Sequence, residues 1–131
     1  MGKFQEIVQE ADWKIEKHVP VIDCPDVITA DQLVDVTVGI GKEVAHPNTT
    51  AHHISWISLY FLPLDEKFPY QLGHYTFLSH GASVKGGDTS TIYTHHQVTT
   101  SFKTSKAGTL IALAHCNIHG LWESSKEISL K

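Results

Sequence analysis

The sequence contains only two cysteines and one methionine in 131 residues. It also lacks a run of about 18 apolar residues and the features of a signal peptide, so no membrane-spanning segment is expected. A formal net charge of −4 gives no overall positive field that would attract nucleic acid or an anionic membrane. We therefore expect a cytoplasmic protein whose partners include neither nucleic acid nor a membrane.

The two cysteines, Cys24 and Cys116, allow at most one disulfide within the chain. With Trp56 between them, they resemble the Cys–Trp–Cys spacing of immunoglobulin-type domains, which favours a disulfide. A reducing cytoplasm favours free thiols instead, as does the position of Cys116 close to a histidine. We expect two free thiols, and the disulfide is the alternative.

The chain has the size and composition of one folded domain, with 41% hydrophobic and 18% charged residues. No repeat, linker or low-complexity segment divides it, so one domain is expected over residues 1–131. Near the start, Phe4, Ile7, Val8 and Ala11 recur at helical spacing, which predicts a short amphipathic helix within residues 3–14. Pro20 prevents its simple continuation.

Beyond Pro20 the helical spacing disappears and strand patterns follow. Strands are predicted where apolar residues alternate with polar ones, or where a short apolar run is bounded by turn residues. The predicted strands are 19–22, 34–40, 54–62, 70–79, 97–103, 109–115 and 126–130. Seven short strands with little helix predict an all-β fold, in which the strands form an antiparallel β-sandwich.

Histidine is unusually frequent, with ten residues. Cys116 and His119 follow an apolar strand in a compact turn that could hold a transition metal, although this pair alone is a weak signal. His46 and His52 share a loop before the longest apolar strand. Because loops at one end of a sandwich lie close together, the two pairs can meet, and His18 could add a fifth ligand.

The other histidines fit this set less well. Adjacent residues of an extended chain point to opposite sides, so His52 and His53 cannot both be ligands, and His115 is turned away from Cys116. Four more share no spacing with the Cys116 turn and are expected to be surface residues, namely His74, His80, His95 and His96.

The donor types alone leave the metal open. Structural zinc takes four ligands, which Cys116, His46, His52 and His119 would satisfy. Blue copper takes two histidines, one cysteine and usually a methionine, but the only methionine is Met1 and Trp122 follows the loop. Five ligands with an open position would favour iron.

Three motifs together resemble those of superoxide reductases, in the single-domain, neelaredoxin-type branch of the desulfoferrodoxin iron-binding family. The resemblance covers essentially the whole chain, without the additional N-terminal rubredoxin-like module. The motifs are Glu16-Lys17-His18-Val19-Pro20-Val21-Ile22, His46-Pro47-Asn48 followed by His52-His53-Ile54, and Cys116-Asn117-Ile118-His119-Gly120-Leu121-Trp122-Glu123.

The resemblance implies an immunoglobulin-like, seven-stranded antiparallel β-sandwich and one mononuclear non-haem iron, cycling between Fe2+ and Fe3+. The implied ligands are His18, His46, His52 and His119 in a plane and Cys116 as the axial thiolate. Glu16 would bind the sixth position only in the resting ferric state, and Lys17 would be the cation beside it. No role is implied for Cys24 or His115.

The implied activity is the inner-sphere, one-electron reduction of superoxide to hydrogen peroxide at the open sixth site. Reduced rubredoxin is the implied electron donor, and a homo-oligomer, either tetramer or dimer, is expected. Lys17 is expected to attract superoxide and orient a proton-donating water. Backbone N–H groups between Asn117 and His119 are expected to hydrogen-bond the sulfur of Cys116.

Two other functions remain open on the residues themselves. A cupredoxin-like electron-transfer protein would bind copper. An immunoglobulin-like binding module would hold a structural zinc or no metal, and it would be colourless. Metal analysis and visible spectroscopy distinguish these functions from the reductase.

Overall fold

The computed structural model describes residues 2–131. In this part of the chain, one short helix precedes nine strands. The elements are α1 (Phe4–Ile7), β1 (Val8–Gln9), β2 (Val21–Asp23), β3 (Val27–Ile28), β4 (Val34–Gly39), β5 (Ile54–Pro63), β6 (Tyr70–Thr76), β7 (Gln97–Phe102), β8 (Gly108–Cys116) and β9 (Gly120–Leu130).

The strands form two sheets. The larger has the order β1-β9-β8-β5-β6, with β3 also paired to β9, and the smaller has the order β2-β4-β7. The long strands pair antiparallel, whereas the two-residue strands β1 and β3 run parallel to β9. This arrangement is the predicted immunoglobulin-like β-sandwich. Its seven longer strands correspond to the seven predicted ones, and β1 and β3 are additional.

The core lies between the two sheets because each strand turns every second side chain inward. In β4 the valines at 34, 36 and 38 are fully buried, while Asp35 is exposed. From the larger sheet, Ile57, Leu59 and Leu110 meet them, each with no exposed surface. Burying one such side chain contributes roughly 1.5–3 kcal/mol, so these positions hold the two sheets together.

The predicted N-terminal helix is wrong in its length. Only Phe4–Ile7 is helical, and the chain becomes extended at Val8. Phe4 is 66% exposed and Ile7 47% exposed, so the apolar side of the helix has no surface against which to pack. Since a short isolated helix is unstable without such packing, the chain instead pairs Val8–Gln9 with β9.

The last strand begins earlier than the sequence predicts, at Gly120 rather than at residue 126. Polar residues at 123–125 obscure the strand pattern in its first half. The strand is held there by pairing with β8, from Cys116 opposite Gly120 to Gly108 opposite Ile128. The Cys116 turn is therefore the tip of a long β-hairpin.

Among residues 2–131, no helix has the length and apolar character needed to cross a membrane.

Candidate metal centre

Three separate segments reach the same end of the sandwich. The register of the strands shows this, because Val21 at the start of β2 pairs with Gly39 at the end of β4. In the larger sheet, Ile54 at the start of β5 pairs with Cys116 at the end of β8. The segment before β2, the loop from β4 to β5 and the β8–β9 turn therefore lie together.

The β8–β9 turn is a tight hairpin in which three residues separate the paired Cys116 and Gly120. Gly120 has a φ of +81°, a conformation that a residue with a side chain rarely adopts. Such a residue closes a three-residue hairpin loop. The hairpin thereby keeps Cys116 buried at the base of the turn while His119 is exposed beside it.

The four predicted histidine ligands form a nearly square ring. Neighbouring ring centroids lie 4.9 Å apart for His18 and His46, 4.8 Å for His46 and His52, 5.0 Å for His52 and His119, and 4.7 Å for His119 and His18. The diagonal between His18 and His52 is longer, at 6.4 Å. Four imidazoles placed in this way surround one central point.

The thiol of Cys116 adds a fifth donor to this ring. The donor atoms of four residues, His18, His52, Cys116 and His119, all lie within 4.8 Å of one another. The sulfur of Cys116 is 3.7 Å from Nδ1 of His119, and that nitrogen is 3.1 Å from Nε2 of His18. His46 is not one of this close set, and it joins through its ring contacts with His18 and His52.

The hydrogen bonds of the histidines leave nitrogens free for a metal. Nδ1–H of His46 donates to the carbonyl of Pro47 at 2.6 Å, so its Nε2 carries a lone pair. Nε2 of His46 and Nε2 of His52 are both buried without a hydrogen-bond partner among the described residues. Buried polar atoms are rarely left unpaired, so these two nitrogens fit a bound cation.

The protonation state of two of these histidines also favours metal binding. Burial lowers the pKa of His46 to about 4, despite the opposing bond to Pro47, and the nearby His18 and His52 add to the shift. Burial also lowers the pKa of His52, with contributions from His119, His18 and Lys17. Both rings are therefore neutral at neutral pH, which is the form that binds transition metals.

Glu16 lies against the outer edge of His18 and not in the centre of the ring. Its Oε1 accepts hydrogen bonds from Nδ1–H of His18 at 2.7 Å and from the backbone N–H of His18 at 3.0 Å. Burial alone would raise the pKa of Glu16, but these bonds bring it below its ordinary value. The carboxylate thus orients His18 with Nε2 towards the centre.

Lys17 is half-buried beside the ring. Its charge lies close enough to His52 to contribute to the lowered pKa of that histidine. The adjacent side chains of Glu16 and Lys17 therefore lie near different histidines of the ring, His18 and His52.

The sulfur of Cys116 accepts a hydrogen bond from the backbone N–H of His119, with a separation of 3.4 Å. This contact confirms the prediction of a backbone donor to the sulfur for His119, whereas the N–H of Asn117 donates to the carbonyl of His53 instead. Such bonds withdraw electron density from a thiolate and tune its donation to a metal.

Two residues of the third motif, Asn117 and Trp122, have contacts that their sequence pattern did not predict. The indole of Trp122 stacks on His18, and its Nε1–H donates to the carbonyl of His119. The side chain of Asn117 donates to the carbonyl of Ala51 and accepts from the N–H of His53, joining the two ligand loops. For Asn117 the available signal was its position directly after Cys116, since Asn commonly bonds to backbone in turns. The sequence carries no comparable signal for Trp122.

The prediction that the remaining histidines lie at the surface is wrong for two of the four. His80 and His96 are buried, whereas His74 and His95 are exposed. His80 donates to the carbonyl of Phe77 and lies 3.0 Å from the side-chain oxygen of Asn48, in the ligand loop.

The remaining contacts agree with the exclusions made from the sequence. His53 faces away from the site, with its ring stacked on His80 at 3.5 Å between centroids. His115 stacks on Trp56 rather than facing Cys116. Both cysteines are free, which confirms the absence of a Cys24–Cys116 disulfide.

Histidine and cysteine donors converging at one end of an immunoglobulin-like sandwich define a metal-binding protein. The sequence model of the desulfoferrodoxin family matches residues 10–125. The chain is 52% identical to the neelaredoxin of Megalodesulfovibrio gigas, over 98% of this chain and 99% of that protein. It is 51% identical to the superoxide reductase of Pyrococcus furiosus, with the same coverage of both chains.

A solved structure gives the same result. The superoxide reductase (neelaredoxin) from Archaeoglobus fulgidus in the reduced form superposes with a TM-score of 0.88 at 50% identity. The superposition covers 95% of this chain and 99% of the other. The chain belongs to the desulfoferrodoxin family, within its neelaredoxin-type superoxide reductases.

Proposed function

We propose that this chain reduces superoxide to hydrogen peroxide at a single iron bound by the histidine ring and Cys116. The observation that carries the proposal is the near-square of four imidazoles, completed by one buried thiol. The proposed ligand atoms are Nε2 of His18, Nε2 of His46, Nε2 of His52, Nδ1 of His119 and Sγ of Cys116. When bound, iron supplies one electron to superoxide by passing from Fe2+ to Fe3+, and two protons complete the peroxide.

The residues around the ring would serve this reaction in separate ways. Lys17 places a positive charge beside His52 in a protein of net negative charge, and a local charge of this kind attracts a small anion. His119 is exposed at the tip of the hairpin, so superoxide and protons can reach this side from solvent. A water held by Lys17 would deliver one of the protons.

Glu16 would have two roles that compete with each other. In the structure, both its hydrogen bonds go to His18, and the carboxylate orients that ring. To supply a carboxylate oxygen to oxidised iron, Glu16 would have to move from the outer edge of His18, and this movement would weaken its bonds to His18. The ferric resting state would therefore leave His18 less firmly oriented than the ferrous state.

The electron would come from another protein, and reduced rubredoxin is the donor we propose. The exposed side of the ring would let a small redox protein approach His119 closely. A homo-oligomeric state, as dimer or tetramer, and a cytoplasmic location complete the proposal.

Iron loading and product stoichiometry test the proposal directly. The metal-free protein is loaded with Fe2+, and peroxide formed is measured against superoxide consumed with rubredoxin as reductant. A reductase yields one peroxide per superoxide, whereas dismutation yields half as much. A protein that retains copper instead, or that gives the dismutation yield, would contradict the proposal.

The two cysteines provide a matched pair of variants. Cys116→Ser is expected to lose the thiolate-to-iron absorption of the oxidised protein together with its activity. Cys24→Ser is the control, because Cys24 is half-buried and is not a proposed ligand. This variant should leave both the absorption and the activity unchanged. Persistence of the absorption band in Cys116→Ser would show that Cys116 is not the ligand.

A further inference from the structure

We infer that Trp122 is a positioning residue that fixes two metal ligands at once. Its indole ring stacks on His18, with centroids 4.9 Å apart and planes inclined by 15°. Its Nε1–H donates to the carbonyl oxygen of His119 at 3.1 Å. The inference rests on the proposed metal site, because it concerns two of the residues proposed as ligands.

The two histidines reach the site from opposite parts of the chain. His18 belongs to the segment before β2, and His119 lies in the β8–β9 hairpin, 101 residues later. Neither histidine lies in a β-strand, so strand pairing does not fix its position. One side chain that contacts both therefore sets their relative position, which brings Nε2 of His18 within 3.1 Å of Nδ1 of His119.

Trp122 is suited to this task because its own position is rigid. It lies near the start of β9 and pairs with Ala114 of β8 on one side and with Gln9 of β1 on the other. Its side chain is only 8% exposed. A supporting residue on a paired strand holds a ligand more precisely than one on a loop.

The contacts on His18 are complementary. Glu16 binds the edge of the ring at Nδ1, which fixes the tautomer but permits the ring to tilt. Trp122 covers one face of the ring in an offset stack, which opposes tilting. The combination directs Nε2 of His18 towards the centre of the histidine ring.

Metal titration of variants tests the inference. We expect Trp122→Leu, which removes the stack and the hydrogen bond, to weaken Co2+ binding to the metal-free protein by about 10–100-fold, as loss of a residue supporting a metal ligand commonly does. Trp122→Phe keeps an aromatic ring against His18 but loses the donor, so a smaller loss is expected. The visible bands of the Co2+ form should also shift in both variants, since the geometry of the ligands changes.

Trp56 offers a matched control. It too stacks on a histidine, His115, with centroids 5.7 Å apart and planes inclined by 12°, but that histidine is not a proposed ligand. Trp56→Leu should lower the thermal stability of the metal-free protein and leave both Co2+ affinity and the visible bands unchanged.

The outcomes distinguish a failure of the proposed metal site from a failure of the positioning role of Trp122. If the unmodified protein fails to bind Co2+ with a thiolate absorption band, the proposed site itself is wrong. If it binds but Trp122→Leu binds within threefold of it, or Trp56→Leu weakens binding equally, the positioning role is overturned. Should Trp122→Leu not fold, unchanged affinity and spectrum in Trp122→Phe would equally overturn it.

Discussion

The side chain of Asn117 gives a prediction that joins stability to metal binding. Its Nδ2 donates to the carbonyl of Ala51 at 2.9 Å, and its Oδ1 accepts from the N–H of His53 at 2.8 Å. Ala51 and His53 flank the proposed ligand His52, whereas Asn117 follows Cys116. These two bonds therefore connect the loop that carries His46 and His52 to the turn that carries Cys116 and His119.

Asn117→Ala should remove both bonds without disturbing the core, because residue 117 is exposed. Each hydrogen bond contributes about 0.5–1.5 kcal/mol, and exposure favours the lower half of that range. The free energy of unfolding of the metal-free protein should therefore fall by about 1–2 kcal/mol, which lowers Tm by roughly 3–10 °C for a chain of this length. Because His52 also becomes less firmly placed, we expect metal affinity to fall about tenfold.

Urea unfolding of the metal-free protein and Co2+ titration measure the two effects separately. Ser101→Ala is the control for stability, because it removes an exposed hydrogen bond to Asp35 in the smaller sheet and should not affect metal affinity. Asn117→Asp keeps the acceptor for His53 but loses the donor to Ala51, so its losses of stability and metal affinity should be smaller than those of Asn117→Ala. Reduced stability with unchanged metal affinity in both Asn117 variants would refute the claim that this residue holds the ligand loop in place.

Three further predictions concern charge and protonation. Lys17→Ala should slow the capture of superoxide roughly tenfold at low salt while the iron spectrum stays nearly intact, whereas Lys17→Arg should retain the rate; an unchanged rate for Lys17→Ala in pulse radiolysis would contradict the role of the charge. Glu16→Ala should retain rapid reduction, but its ferric spectrum should change with pH or added anions, and loss of all activity would contradict the assignment. Burial lowers the pKa of His80, with a smaller contribution from the facing His53, so the unfolded ring takes up a proton at a higher pH than the folded one. The stability of the metal-free protein should fall as pH drops below about 6.5, and His80→Gln should show a shallower decline in urea unfolding; equal slopes would refute this.

The strands could be predicted because their physical cause is local. A β-strand that covers one side of a core needs an apolar residue at every second position, and 34–40 displays this alternation directly. The first half of β9 has no such signal. Its strand structure depends on pairing with β8 across the hairpin, which is a contact between separate parts of the chain.

The proposed ligands could be identified from the sequence motifs, but the residues that support them could not. His18, His119 and Cys116 are chemically distinctive donors at specific positions. Trp122 could equally have been an ordinary core residue, and only the folded chain shows that its indole faces His18. The helix was predicted to be too long because helical spacing of apolar residues does not guarantee a surface against which the helix can pack. Phe4 remains exposed in the folded chain.

The separation of the proposed ligands along the chain has a consequence for the lifetime of the protein. An ion bound by His18 and His119 is a reversible cross-link that closes a loop spanning 101 residues. In the chain-entropy description, a covalent bond that closes a loop of that length raises the free energy of the unfolded chain by about 4–5 kcal/mol. A tightly bound ion likewise stabilises the folded state relative to the unfolded one. Scarcity of iron would then shorten the survival of the folded polypeptide against proteolysis, in addition to abolishing its chemistry.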